Sequence, residues 1–253
     1  MGQKKSSLKV LSTVEATTRI IECISRHGEI SPNGAAKELK LSRSNAHRLF
    51  ATLEELELVE QSKPGSYNLT FKLFELGNTV PHRKNLIDTA RPAMLRLSQA
   101  LGMTVNNGVM YQDEVLYIDK VEPVDYLKLD RSIGSTDPLH NTSLGKVILA
   151  FLVPEEQEQV ISRISFVRTT PYTICDRAAF MEELKRVRER GVAFDLRELS
   201  RELNCVAAPV FDSQGQVCSA ISVSSPADRL NEERLKDVVP ALQRTVKEVP
   251  HPF

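Results

Sequence analysis

The sequence has no tryptophan, no net charge and no paired cysteine spacing. The missing tryptophan bears little on function. The charge balance, 33 basic against 33 acidic side chains, leaves overall charge silent about a partner, so only local charge can speak. No apolar run has the length of a membrane-spanning helix. Cys23, Cys175, Cys205 and Cys218 are scattered, which excludes a disulfide framework and fits free thiols in the cytoplasm. No zinc-type pairing of cysteine with histidine stands out, so no metal and no cofactor are expected. The opening Met1-Gly2-Gln3-Lys4-Lys5-Ser6-Ser7 is polar and basic without an apolar core, and does not read as a secretory signal. Its Gly2 and Ser6 meet a loose myristoylation pattern, which we read as chance.

What is present changes character along the chain. The first eighty residues carry helical periodicity: Val10, Val14, Thr17, Ile21 and Ile24 form a stripe widened by Leu11, Ala16 and Ile20, and Gly28 stops it. Ser31-Pro32 starts a short helix carrying Ala35, Ala36 and Leu39. After the turn at Lys40-Leu41, Ser42 caps a longer helix with Ala46, Leu49, Phe50, Leu53 and Leu56 inward. Strands over 58–61 and 67–69 flank Ser62-Lys63-Pro64-Gly65-Ser66, which has turn chemistry. Helix, helix, turn, helix, hairpin is the order of a winged helix-turn-helix. A further helical stretch carries Phe71, Phe74 and Leu76, and after Pro81 a stripe of Ile87, Ala90, Met94, Leu97 and Leu101 runs to Gly102. These patterns predict an α+β protein: a winged helix-turn-helix domain over 1–80, a helical linker over 81–102 and a mixed sheet-and-helix domain over 103–253. In the last, strands are expected over 105–110, 115–121, 126–130, 205–211 and 217–223. Helices are expected over 143–152, 155–164, 178–190 and 231–249, and residues 131–140 read as a polar loop.

The second helix of a helix-turn-helix lies in the major groove, with its N-terminal residues at base edges. The corresponding exposed residues here are Ser42, Arg43, Ser44, Asn45, His47 and Arg48, with Lys63 at the hairpin tip to follow the backbone. Asn suits adenine, Arg suits guanine or phosphate, and Ser suits either. Through Arg48 basic residues outnumber acids, and Glu54, Glu55, Glu57 and Glu60 then reverse the sign, giving a basic front and an acidic back. The bland alternative is an ordinary solvated helix start, or a domain whose helices bind protein.

The whole chain resembles the IclR family of bacterial regulators. The likeness rests on Ser7-Leu8-Lys9-Val10-Leu11, on Leu41-Ser42-Arg43-Ser44-Asn45-Ala46-His47-Arg48-Leu49 and on Gly65-Ser66-Tyr67-Asn68-Leu69. It continues in Pro138-Leu139-His140-Asn141-Thr142-Ser143-Leu144-Gly145-Lys146-Val147-Ile148-Leu149-Ala150, Cys205-Val206-Ala207-Ala208-Pro209-Val210-Phe211-Asp212 and Ala220-Ile221-Ser222-Val223-Ser224. Lys72-Leu73-Phe74-Glu75-Leu76-Gly77 and Pro252-Phe253 point to the branch that senses sugar acids. The resemblance implies a GAF-like effector domain and a homodimer or homotetramer on palindromic double-stranded operator DNA, more in keeping with a repressor. It also implies a pocket for a small, carboxylate-bearing effector at Asp195, Cys205, Ser222 and Ser224, with backbone amides of Ile133, Gly134 and Ser135. Ser222 and Ser224 alternate on one strand, so their hydroxyls share a face. The bland readings are surface serines, a small buried cysteine, and an Asp195 that caps a turn or pairs with Arg197.

Two departures from the family pattern bear on the pocket. Leu203 and Asn204 stand where the family has glycine and a small apolar residue, and Leu196-Arg197-Glu198 brings a positive charge near Asp195. An anionic ligand is expected partly on that ground. A rival reading joins Cys205, His140 and Asp195 as nucleophile, base and orienting acid of a thiol hydrolase, although no nucleophile signature surrounds Cys205.

Overall fold

The computed structural model describes residues 11–80, 83–123 and 132–251. The expectations for residues 1–10, for a strand over 126–130 and for Pro252-Phe253 lie outside these residues. The chain divides into two units, one to Val80 and one from Pro81.

In the first unit α1 (Ser12–His27), α2 (Pro32–Leu39) and α3 (Arg43–Glu55) precede the hairpin of β1 (Val59–Lys63) and β2 (Ser66–Leu69), and α4 (Phe71–Asn78) follows. Gly28 ends α1 at φ 75°. Ser31 Oγ accepts from the Gly34 amide at 3.1 Å, and Pro32 occupies the first turn, where no N–H is needed. Lys40 closes α2 in the left-handed region, and Ser42 Oγ accepts from the Asn45 amide at 3.2 Å to open α3. The hairpin is tied to the helices through Ile30 and Tyr67, whose amides and carbonyls exchange hydrogen bonds at 3.0 Å.

The buried face of α1 differs from the expected stripe. It is Ala16, Ile20, Cys23 and Ile24, while Leu11 and Val14 face solvent. The helix has apolar residues on more than one face, and its partners, Leu39 of α2 and Phe50 and Leu53 of α3, select which is buried. Leu56 is also exposed, because α3 ends at Glu55 and Leu56 falls in the C-cap. The hairpin strands run closer to the tip than expected, leaving Pro64-Gly65 as the turn and Lys63 on β1, next to a bulge between Gln61 and Lys63. Phe71, Phe74 and Leu76 of α4 are exposed within their unit.

The second unit is one antiparallel sheet between helices. Its elements are α5 (Arg83–Leu101), β3 (Thr104–Tyr111), β4 (Glu114–Val121), β5 (Thr136–Pro138), α6 (Ser143–Phe151), α7 (Pro154–Arg163), α8 (Arg177–Arg190), β6 (Ala193–Leu196), β7 (Leu203–Phe211), β8 (Val217–Pro226) and α9 (Glu232–Glu248). The strand order is β5-β4-β3-β8-β7-β6. On one face α5 and α9 pack Ala90, Ala93, Met94, Leu97, Val238 and Leu242 against Val105, Val206, Ile221 and Val223. On the other, α6 and α8 pack Leu144, Val147, Phe180 and Leu184 against Val115, Ala193, Ala207 and Ala220.

Two short edge strands escaped the sequence pattern. β5 lies inside the expected polar loop, and β6 has only four residues, one of them an aspartate. The helix α6 is also more enclosed than its expected stripe: all of residues 143–150 are buried, because the sheet lies on one side and α8 on the other. A Cβ on Gly145 would overlap the backbone of Leu139, so α6 needs glycine at its closest approach.

Candidate DNA interface and effector cleft

The helix α3 is the candidate recognition helix. Ser42, Arg43, Ser44, His47 and Arg48 are exposed and Asn45 is half-buried, while Ala46, Leu49, Phe50 and Leu53 hold the helix to its unit. Ser42 has a local duty besides, since its oxygen caps the helix. Lys63 is committed as well: its Nζ lies 2.5 Å from Glu29 Oε1, and Ser62 Oγ donates to Glu29 at 2.9 Å. Lys63 holds the Glu29 carboxyl below its ordinary value, with Ser62 assisting.

The predicted effector residues form rows across the sheet in the second unit. Antiparallel register aligns Asp195 with Cys205, Cys205 with Ser224, and Ser224 with Thr104. The next row on the same face aligns Ala207, Ser222, Asn106 and Lys120. Asn106 was not foreseen, yet its Nδ2 donates to Ser224 Oγ at 3.2 Å and to Ser222 Oγ at 3.4 Å. A cleft of about 30 Å³ lies here, lined by Thr104, Asn106, Tyr117, Lys120, Asp195, Leu199, Ser200, Leu203, Cys205 and Ser224. Among the described residues, the buried Thr104 Oγ1 and Asn106 Oδ1 find no hydrogen-bond partner. Such groups ordinarily have one, so a ligand or water is their natural complement. At that size the cleft holds water but not a metabolite, and it must widen to take one.

Below the cleft lies a buried network that the sequence reading missed. Lys146 of α6 is only 1% exposed and forms an ion pair with Glu198. Asp195 Oδ1 accepts from the Glu198 amide at 2.7 Å and from the Leu199 amide at 3.3 Å, so it caps the turn after β6. Burial pushes the Asp195 carboxyl up to about 7; Lys146 opposes that rise and Glu198 adds to it. Burial also raises the Glu198 carboxyl, against the pull of Lys146. A lysine inside an apolar helix reads in sequence as a surface residue, and only the fold shows its partners.

Several expectations change against this geometry. The loop at Ile133, Gly134 and Ser135 has two of its amides engaged: Gly134 N–H donates to the Tyr117 carbonyl of β4 at 2.8 Å and Ser135 N–H to the Ser132 carbonyl at 3.1 Å. They are not turned to the cleft in this structure. Leu203 lines the cleft, but Asn204 sits on the opposite face and donates to the Leu230 carbonyl at 2.9 Å. Arg197 is exposed and stands over the Tyr172 ring, so the cation at the cleft wall is Lys120 instead. Lys120 is also 2.6 Å from Glu122. Of the hydrolase constellation, His140 and Asp195 each have another partner. His140 Nε2 bonds to the Val167 carbonyl at 3.0 Å, its ring packs edge-on to Phe166, and Asp195 is engaged by backbone amides.

Comparison with known proteins agrees with both halves. Residues 13–63 match the family described as IclR helix-turn-helix domain. Residues 78–251 match the bacterial transcriptional regulator IclR C-terminal family. The HTH-type transcriptional regulator KdgR of Escherichia coli is 32% identical over 94% of this chain and 91% of its own length. The HTH-type transcriptional repressor AllR of Salmonella typhi is 30% identical over 95% and 89%. The crystal structure of the Thermotoga maritima IclR superposes with a TM-score of 0.77 at 30% identity, covering 94% of this chain and 96% of that one.

Proposed function

The chain belongs to the IclR family of bacterial transcriptional regulators, and from that premise we propose that it is a repressor released or engaged by a small carboxylate-bearing metabolite. It is a DNA-binding regulator by family, and its relatives include named repressors. In our reading Arg43, Ser44, Asn45, His47 and Arg48 meet the major groove, with Ser42 and Lys63 on phosphate. Two or four copies of the chain place these helices on a palindrome.

The observation that carries the effector reading is the row of Thr104, Ser224, Cys205 and Asp195 beside Asn106 and Lys120, closed over a small cleft with orphaned polar atoms. Hydroxyls and an ammonium suit a carboxylate, and a sugar acid or 2-oxo acid offers hydroxyl or carbonyl oxygens for the remaining donors. The wall is mostly polar, with Leu199 and Leu203 as its aliphatic members, which suits a ligand rich in oxygen. Thermal shift against a panel of sugar acids and 2-oxo acids identifies the class, since a ligand of the folded state raises its apparent stability. Ser224→Ala and Lys120→Met are each expected to weaken binding by about tenfold or more, the worth of one hydrogen bond to a charged group. Stabilisation only by neutral or cationic compounds, or unchanged operator affinity with saturating ligand, overturns the reading.

A further inference from the structure

We propose that Cys23, His27 and Glu38 of the first unit bind a divalent ion of the zinc class. Cys23 and His27 are four residues apart on α1, so they stand one turn apart on the same face. Glu38 reaches them from α2. The thiol sulfur, an imidazole nitrogen and a carboxylate oxygen all lie within 4.8 Å of one another. Tetrahedral zinc with bonds of 2.0–2.3 Å separates its ligand atoms by roughly 3.3–3.6 Å, so small side-chain rotations close the set. Two of the ligand atoms are already together, with His27 Nε2 at 2.9 Å from Glu38 Oε2.

The chemistry of the donors selects the ion. Thiolate with imidazole and carboxylate favours zinc over the hard ions magnesium and calcium. Three protein ligands leave a fourth position for water, the arrangement of an exchangeable rather than a closed site. Access supports exchange: Cys23 is fully buried at the base, while His27 and Glu38 form a partly exposed rim. On binding, the Cys23 thiol gives its proton to solvent, a sulfur–metal bond forms, and neither metal nor sulfur changes oxidation state. Arg26 Nη2 sits 3.1 Å from Glu38 Oε1 and is the cation the metal displaces. Such an ion would clamp α1 to α2, the helix preceding the recognition helix.

The test uses the full chain under a non-chelating reductant, titrated with cobalt(II) as the spectroscopic probe and zinc as competitor. The expected result is a thiolate-to-cobalt charge-transfer band with strong visible bands of four-coordinate cobalt, bleached by zinc. His27→Ala and Glu38→Gln, both at exposed positions, should each weaken cobalt binding at least tenfold, and Cys23→Ser should remove the charge-transfer band. Arg26→Ala should tighten binding severalfold, because the competing cation is gone. A Cys175→Ser/Cys205→Ser/Cys218→Ser variant should keep the full signal. Absence of the band, its persistence in Cys23→Ser and His27→Ala, or its loss in the triple variant overturns the proposal. Circular dichroism of each variant separates lost ligation from lost folding.

Discussion

Asp195 is held against its preference. Its ordinary value is 3.8, and burial lifts it to about 7, so between those values the folded chain keeps a proton that the unfolded chain gives up. The stability this group contributes is complete below the ordinary value and is lost as pH rises through about 7. Asp195→Asn leaves an oxygen to accept from the Glu198 and Leu199 amides and removes the titration. Denaturant unfolding should show the variant gaining on the parent from pH 5 to pH 8, by on the order of 1–3 kcal/mol at the upper end. A constant difference across that range would show that Asp195 is ionised throughout. Because Asp195 also lines the cleft, an anionic effector meets less repulsion when this carboxyl is protonated.

The winged hairpin shows how an element is restrained before it meets its partner. Lys63 is paired to Glu29, on the segment joining α1 and α2, so the proposed contact with phosphate would exchange one anion for another. Glu29→Gln frees the lysine and should tighten operator binding by about two- to fivefold, the worth of an exposed ion pair. Lys63→Ala should lower the slope of log K against log salt by about 0.9, the share of one phosphate contact. Gel-shift titrations at several salt concentrations measure both, and an unchanged slope in Lys63→Ala places the lysine off the DNA. Elements of this kind were readable in the sequence because their signals are local: Ser31-Pro32, Ser42 and Pro64-Gly65 act within a few residues. Face selection was not. Whether α1 buries Val14 or Ile20 depends on α2 and α3, which periodicity does not contain. The edge strands β5 and β6 were too short to show alternation, and the serines of β8 were legible while their partner Asn106, far away in the chain, was not.

At the scale of the whole molecule, the two units carry different duties, and the larger places its polar rows on the face that also receives α6. Cleft and core are therefore continuous: the network of Lys146, Glu198 and Asp195 joins the central helix to the cleft wall. In the proposed reading, widening the cleft for a metabolite would act directly on that network. Among the described lysines Lys146 is the buried one, and this gives it a use as a chemical clock. An amine-acylating reagent must wait for the unit to open before it reaches Lys146, whereas the exposed lysines react at once. The rate at which peptide mass spectrometry finds Lys146 acylated should thus report opening of the effector-binding unit. A bound effector should slow that rate while leaving labelling of Lys37, Lys40 and Lys185 unchanged.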